Sequence, residues 1–402
     1  MIDAIKERAA ALLPGLIGMR RHLHQHPELS FREYETAAFV ASELDKLGIA
    51  YQKGICDTGV VALIPGRNPD KHCIALRADM DALPIQEDNE TTYRSRNDGI
   101  MHACGHDVHT TCLLGAAAIL QEYKDRFEGT IKLIFQPGEE KNPGGASLLI
   151  KAGVLDNPAP DAIYGLHVYP QLPAGTAGFR GGQYMASADE IYITIKGKGG
   201  HAALPQQTVD PIAVAAMVIT GLQQVVSRKS NPLSPTVLTF GKIAGGHTTN
   251  VIPNTVELEG TLRTFDEDWR REALGYIRQI TSQICAAYGA EALIDIPDGY
   301  PSLFNDPETT KQARAFATDF LGAAQVKDLE LRMGAEDFAF YTQRIKGCFF
   351  RIGTSQNGER YTLPVHNSRF DIDEPALATG AGLMSYIALS ALAAKAGTSA
   401  GK

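Results

Sequence analysis

Apolar and polar positions follow one rhythm in the outer parts of this chain and another between residues 186 and 298. Before 186, helical and strand-like stretches take turns. Residues 9–19 (AAALLPGLIGM) predict a first helix, and 30–48 (SFREYETAAFVASELDKLG) a second that starts near Ser30 and stops at Gly48. Apolar runs at 59–66, 72–84, 130–140 and 161–168 predict strands, and 108–123 a helix. Such alternation predicts an α/β layer around a largely buried sheet.

From 186 the period becomes two. Ile191, Ile193 and Ile195 share one face of 189–197, and Val256, Leu258 and Leu262 oppose Glu257, Glu259 and Arg263 within 254–265. Strands are also predicted at 236–246 and 291–297. Helices are predicted from Asp210–Pro211, a cap and first-turn pair, to about Ser227, and over 267–288. The order β-α-β-β-α-β is ferredoxin-like. Residues 186–298 therefore read as a domain inserted into a host made of 1–185 and 299–402. The host resumes with a helix at 308–322, a strand at 348–354 and an alanine-rich helix at 375–395. The closing AGTSAGK (396–402) is expected to be disordered.

Composition narrows the function classes. A chain of 402 residues is too long for one ordinary core, which agrees with two domains. A net charge of −8 disfavours nucleic acid and anionic membrane as partners. No stretch reads as long enough for a membrane span. Asp3 and Glu7 spoil the resemblance of the N-terminus to a signal peptide, so a cytoplasmic protein is expected, with its six scattered cysteines reduced.

Candidate chemistry starts at MHACGHDVHTTC (101–112), which lies between a strand and a helix, with Gly105 allowing a tight turn. Cys104 and His106 are good donors for zinc and related ions. Other element ends add Glu139 and Glu140 in FQPGEE, His167 in GLHVYP, and His366 in LPVHNSRFDIDE. Cys104, His106, Glu140, His167 and His366 are too many donors for one tetrahedral ion, and two divalent ions fit better. Glu139 then remains as a general base. Each residue also has a plainer reading: a structural histidine, a solvated helix start, a small buried thiol. Asp107 reads as a helix cap, His109 as an exposed or supporting residue, and Cys112 as core. His22 and His26 read as surface or packing, and Asp79 and Asp81 either as supports for a ligand histidine or as a turn. In the inserted domain, His201 on GKGGHAALP, Asn250 on GGHTTNVIP, and Arg263 could bind a carbonyl oxygen and a carboxylate. The same residues also suit a polar sheet surface.

The motifs MHACGHDVHTT, FQPGEE, GLHVYP, GKGGHAALPQQTVDPI, GGHTTNVIP, MGAEDFAFY and VHNSRFDID occur in this order. The chain thereby resembles the dinuclear-metal aminoacylase/carboxypeptidase family, in its hippurate hydrolase branch with the auxin-conjugate amidohydrolases. The resemblance implies a zinc-peptidase-like α/β catalytic domain with a mostly parallel mixed sheet, interrupted by a ferredoxin-like lid and dimerisation domain. It implies two divalent ions (zinc, manganese, cobalt or nickel) on Cys104, His106, Glu140, His167 and His366, and Glu139 as base. It places His201 as a lid histidine that reaches the partner subunit's site, and Asn250 and Arg263 as substrate-binding residues. The implied activity is hydrolysis of hippurate-like or N-acetyl amino acids by a homodimer. FQPGEE and the following KNPGGA depart from the QPAEE and the glycine-rich run of the family. Two rival readings are a cysteine amidase using Cys104 with His106 and a non-catalytic metal-dependent binding protein.

Overall fold

Strands β1 (Ala50–Ile55), β2 (Gly59–Pro65), β3 (Cys73–Asp79), β4 (Thr130–Gln136), β5 (Ala162–Pro173) and β6 (Ala177–Phe179) come first along the chain of this computed structural model. It describes residues 1–399. Strand β7 (Gly182–Met185) precedes β8 (Asp189–Lys196), β9 (Gly200–His201), β10 (Thr236–Ala244), β11 (Val251–Ile252), β12 (Thr255–Thr264) and β13 (Glu291–Asp295). Then follow β14 (Leu303–Asn305), β15 (Val326–Asp328) and β16 (Gly347–Ser355). The helices are α1 (Ile2–Gln25), α2 (Tyr34–Lys46), α3 (His106–Glu122), α4 (Gly145–Lys151), α5 (Pro211–Gln224), α6 (Glu267–Ala287), α7 (Pro307–Leu321), α8 (Ala339–Thr342) and α9 (Ala376–Ser399). Two units result. One comprises 1–182, 304–330 and 337–402, and the other 183–303 and 331–336.

The first unit is built on an eight-stranded sheet in the order β1-β2-β4-β3-β5-β16-β6-β15. Strands β4, β3, β5 and β16 run parallel, while β1–β2, β2–β4 and β16–β6 are antiparallel. This is the mixed, largely parallel α/β sheet expected. Strands β3, β4 and β16 are buried along their whole length and are mostly apolar, with Arg77, Asp79, Lys132, Gln136 and Arg351 as buried exceptions. The register sets Asp79 beside Gln136 and Arg77 beside Gly165, so three parallel strands end close together. In an open α/β sheet, ligands are bound at such carboxyl ends.

Helix α3 packs against α1 and α9, and every residue from His106 to Leu120 is buried. From Cys112 to Leu120 the helix is apolar all round, as a helix inside a core is, while its first turns carry buried polar residues. Helix α9 comes so close to α3 that a Cβ on Gly380 would collide with Sγ of Cys112. Gly380→Ala is therefore expected to destabilise the protein by about 1–3 kcal/mol. Adding Cys112→Ala should relieve the overlap, and calorimetry of both variants checks this.

Two helical stretches correct the expectation about membrane spans. Residues 211–229 and 376–396 are long and apolar enough by composition alone, but 78% of the second is buried inside the unit. Helix α9 also continues to Ser399, into the tail expected to be disordered, while 400–402 of that tail lie outside the described residues.

The second unit has an antiparallel sheet in the order β10-β12-β8-β13, with α5 and α6 as its two helices. Its core joins Ile191, Ile193 and Ile195 to Val218 and Leu222 of α5 and Ala273 and Ile277 of α6. Asp210 caps α5 by accepting from the amides of Ile212 and Ala213, and Asp266 caps α6 in the same way. One wider turn, Val225–Lys229, carries the first of these helices past Ser227. The elements that lacked a sequence signal are the mostly exposed strand β1, the seven-residue helix α4, and short pieces such as the three-residue strands β6 and β15.

Candidate metal centre

The left-handed turn at Gly105 (φ +82°) delivers Cys104 and His106 to the start of α3. A Cβ there would sit 2.7 Å from Cγ2 of Val168, so only glycine lets this loop approach β5 so closely. Glu139 and Glu140 follow β4, and His167 lies in β5. His366, also left-handed at φ +67°, is fixed by its amide donating to the carbonyl of Ala103. These six side chains, from four segments of the first unit, converge on one place. Donor atoms of Cys104, His106 and His167 lie within 4.8 Å of one another, and the same holds for Cys104, Glu140 and His366 and for His106, Glu139 and Glu140.

Short contacts give the geometry. Sγ of Cys104 is 3.4 Å from Nε2 of His167. Nε2 of His366 is 3.2 Å from Oε1 of Glu140, and Nε2 of His106 is 3.9 Å from that oxygen. His167 bonds the Val168 carbonyl through Nδ1 at 2.8 Å, so Nδ1 carries the proton and the Nε2 lone pair faces Cys104.

The set suits divalent cations. Nε2 of His106 and Oε1 of Glu140 are buried without a hydrogen-bond partner, a costly state unless an ion fills the gap. The field points the same way. Burial opposes a charge on His106, but Asp79, Asp81 and Glu140 outweigh it and raise its pKa to about 10. Burial, then Glu140 and Glu139, push the Cys104 thiol well above its usual range. Burial and Arg351 hold His167 neutral. A thiol nucleophile needs the opposite surroundings. A thiol, imidazoles and carboxylates crowded together match a mixed sulfur, nitrogen and oxygen ligand set.

Supporting residues fix these donors. The Asp81 carboxylate accepts from both glutamate amides at 3.0 Å, from the Ser30 hydroxyl at 2.6 Å, and meets Nδ1 of His106 at 3.2 Å. Ser30 therefore does not start a helix, and α2 begins at Tyr34. His109 is buried rather than exposed. It joins Oδ1 of Asp79 at 2.6 Å and accepts from the Val168 amide at 2.9 Å. Asp107 is no simple cap. It sits between Arg20 (2.8 Å) and His24 (2.7 Å), and Arg20 also reaches Asp371 at 2.9 Å. Arg20, His24, Arg77 and Asp337 were not singled out as site residues from the sequence, although Asp337 falls in the motif MGAEDFAFY, because their partners are distant along the chain. The His22 and His26 rings lie 4.6 Å apart in a tilted pair, and His22 stacks on Phe39.

The other three candidates belong to the second unit. His201 on β9 is exposed and pairs with Val251 of β11, while the Asn250 carbonyl accepts from the Ala202 amide. Nδ1 of His201 accepts from the Ala203 amide at 3.1 Å, which puts the ring proton on Nε2. Arg263 lies half-buried on the open sheet face beside Thr261, its pKa lowered by burial.

Known proteins match nearly the whole chain. It is 45% identical to the N-acetyl-L-cysteine deacetylase of Bacillus subtilis (strain 168), over 90% of this chain and 84% of that one. It is 40% identical to an IAA-amino acid hydrolase (ILR1-like 4) of Arabidopsis thaliana, over 93% and 84%. The crystal structure of the Bacillus subtilis YXEP protein, described as a dinuclear metal binding peptidase, superposes with a TM-score of 0.82 at 38% identity, covering 96% and 99%. Residues 75–390 match the model of peptidase family M20/M25/M40, and with these relatives they establish that the chain belongs to that family of metal-dependent hydrolases.

Proposed function

We propose that the protein hydrolyses the amide bond of N-acyl amino acids, releasing a carboxylic acid and a free amino acid. The observation that carries this reading is the convergence of Cys104, His106, Glu140, His167 and His366 around two orphaned buried atoms, with Glu139 alongside. In this reading these five residues hold two divalent ions, of zinc, manganese, cobalt or nickel. Such ions, when bound, polarise a carbonyl and make water more acidic. Glu139 takes the proton of the attacking water and returns it to the leaving amine. Oε1 of Glu139 is held by the Asp337 amide at 3.3 Å, which orients the carboxylate for that transfer. His201 donates from Nε2 to the developing oxyanion, and Asn250 and Arg263 hold the substrate.

The relatives' names, a deacetylase of N-acetyl-L-cysteine and a hydrolase of IAA-amino acids, support an amide with an amino acid on its nitrogen. We place the enzyme in the cytoplasm as a homodimer joined through residues 186–298, a lid domain inserted into the catalytic 1–185 and 299–402. His201 then serves the partner's site. The acyl group lies among acetyl, benzoyl (as in hippurate) and indole-acetyl. The test is a panel of these N-acyl amino acids with the metal-loaded enzyme. Turnover of at least one supports the reading. Tight binding without turnover, or cleavage confined to peptides with a free amino terminus, overturns it.

A further inference from the structure

The general base assigned above has a support that the ligand set does not explain. Asp337 is fully buried, and three donors make four contacts with its carboxylate. Arg77 Nη2 lies at 2.7 Å from Oδ1. Nε2 of Gln136 bonds both oxygens at 2.8 Å, and the Ala146 amide donates to Oδ2 at 2.9 Å. Arg77 is itself shared. Its Nη1 meets Asp79 at 2.6 Å, and its Nε meets Gln136 at 2.8 Å. A desolvated cluster of this kind is a poor source of stability compared with apolar packing of the same volume. It is well suited to fixing one backbone position.

We infer that Asp337 is a positioning residue for Glu139: its clamped carboxylate fixes the backbone amide that holds Oε1 of Glu139. This rests on Glu139 being the base. Strands β3 and β4 present Arg77 and Gln136 as a rigid floor. The turn bearing Asp337 is pinned to that floor, and its N–H sets the direction of the Glu139 carboxylate. A base displaced by about 1 Å is expected to lose up to 10²-fold in turnover while substrate binding is kept.

The test is a double-mutant cycle with Asp337→Asn and Glu139→Gln, read as kcat and KM on protein of measured metal content and thermal stability. The inference expects Asp337→Asn to keep its metal and its KM and to lose about 10-fold or more in kcat. In the Glu139→Gln background the same change should lower the residual rate by less than about 2-fold, because the group it acts through is gone. Gln136→Met, which removes two of the four contacts, should show a weaker form of the same pattern. An equal loss in both backgrounds, an unchanged kcat, or loss of metal or fold in both Asp337→Asn and Gln136→Met would make the network structural and overturn the inference. If Glu139→Gln alone retained full activity, the assignment of the base would fail, and this inference with it.

Discussion

Glu139→Gln is expected to lower kcat by about 10²–10⁴-fold with little change in metal content. The amide keeps the shape and the contact with the Asp337 N–H but has no lone pair basic enough to take a proton from water. The neighbouring Glu140 does not substitute. Its Oε1 faces His366 at 3.2 Å and His106 at 3.9 Å, so a proton placed there would compete with a cation. KM should move little, since Glu139 acts on the water rather than on the substrate. Elemental analysis beside steady-state kinetics makes the measurement. A variant that loses its metal as well would turn Glu139 into a ligand and remove the base from the mechanism.

Chelation is expected to abolish hydrolysis, a loss of about 10³-fold or more, and add-back to two ions per chain to restore it. Activity indifferent to chelation and killed by iodoacetamide would instead identify Cys104 as a nucleophile. The stripped protein carries a second expected result. His106 has an ordinary pKa of 6.5, raised to about 10 in the fold by the surrounding carboxylates after burial is overcome. A proton bound more tightly in the folded state stabilises that state below pH 6.5, and this stabilisation fades as pH rises through about 10. The unfolding temperature of the stripped protein should therefore decline across that window. The loaded protein should not follow it, because a bound ion takes the proton's place.

Much of this was legible in the sequence where the signal is local. Strand β8 alternates buried and exposed positions almost perfectly, and Asp210 and Asp266 announce their helices as caps. Most donor residues were visible because the chain turns at them, but His167 was expected near a strand end and lies inside β5, which runs on to Pro173. What escaped was long-range. Arg77 and Asp337 are 260 positions apart, Arg20 and Asp107 87 apart, and no periodicity links such pairs. Asp107 resembled a cap because it sits in the first turn of α3, yet burial against Arg20 and His24 decides its role. Ser30 misled in the same way, since its hydroxyl is claimed by Asp81. Side chains that hold other side chains are set by tertiary packing, which one sequence does not display.

The strand order bears on how the chain is made. Strand β16 lies between β5 and β6, pairing with both, though those two strands precede it by well over a hundred residues. On the ribosome the first unit thus waits with an open gap in its sheet while the whole ferredoxin-like segment is synthesised. That segment has its own core and shorter connections, so it can fold first. His366, the last of the proposed metal donors along the chain, emerges only after β16. The nascent chain can complete its sheet before the proposed donors are all present, and cannot bring them together until His366 has emerged.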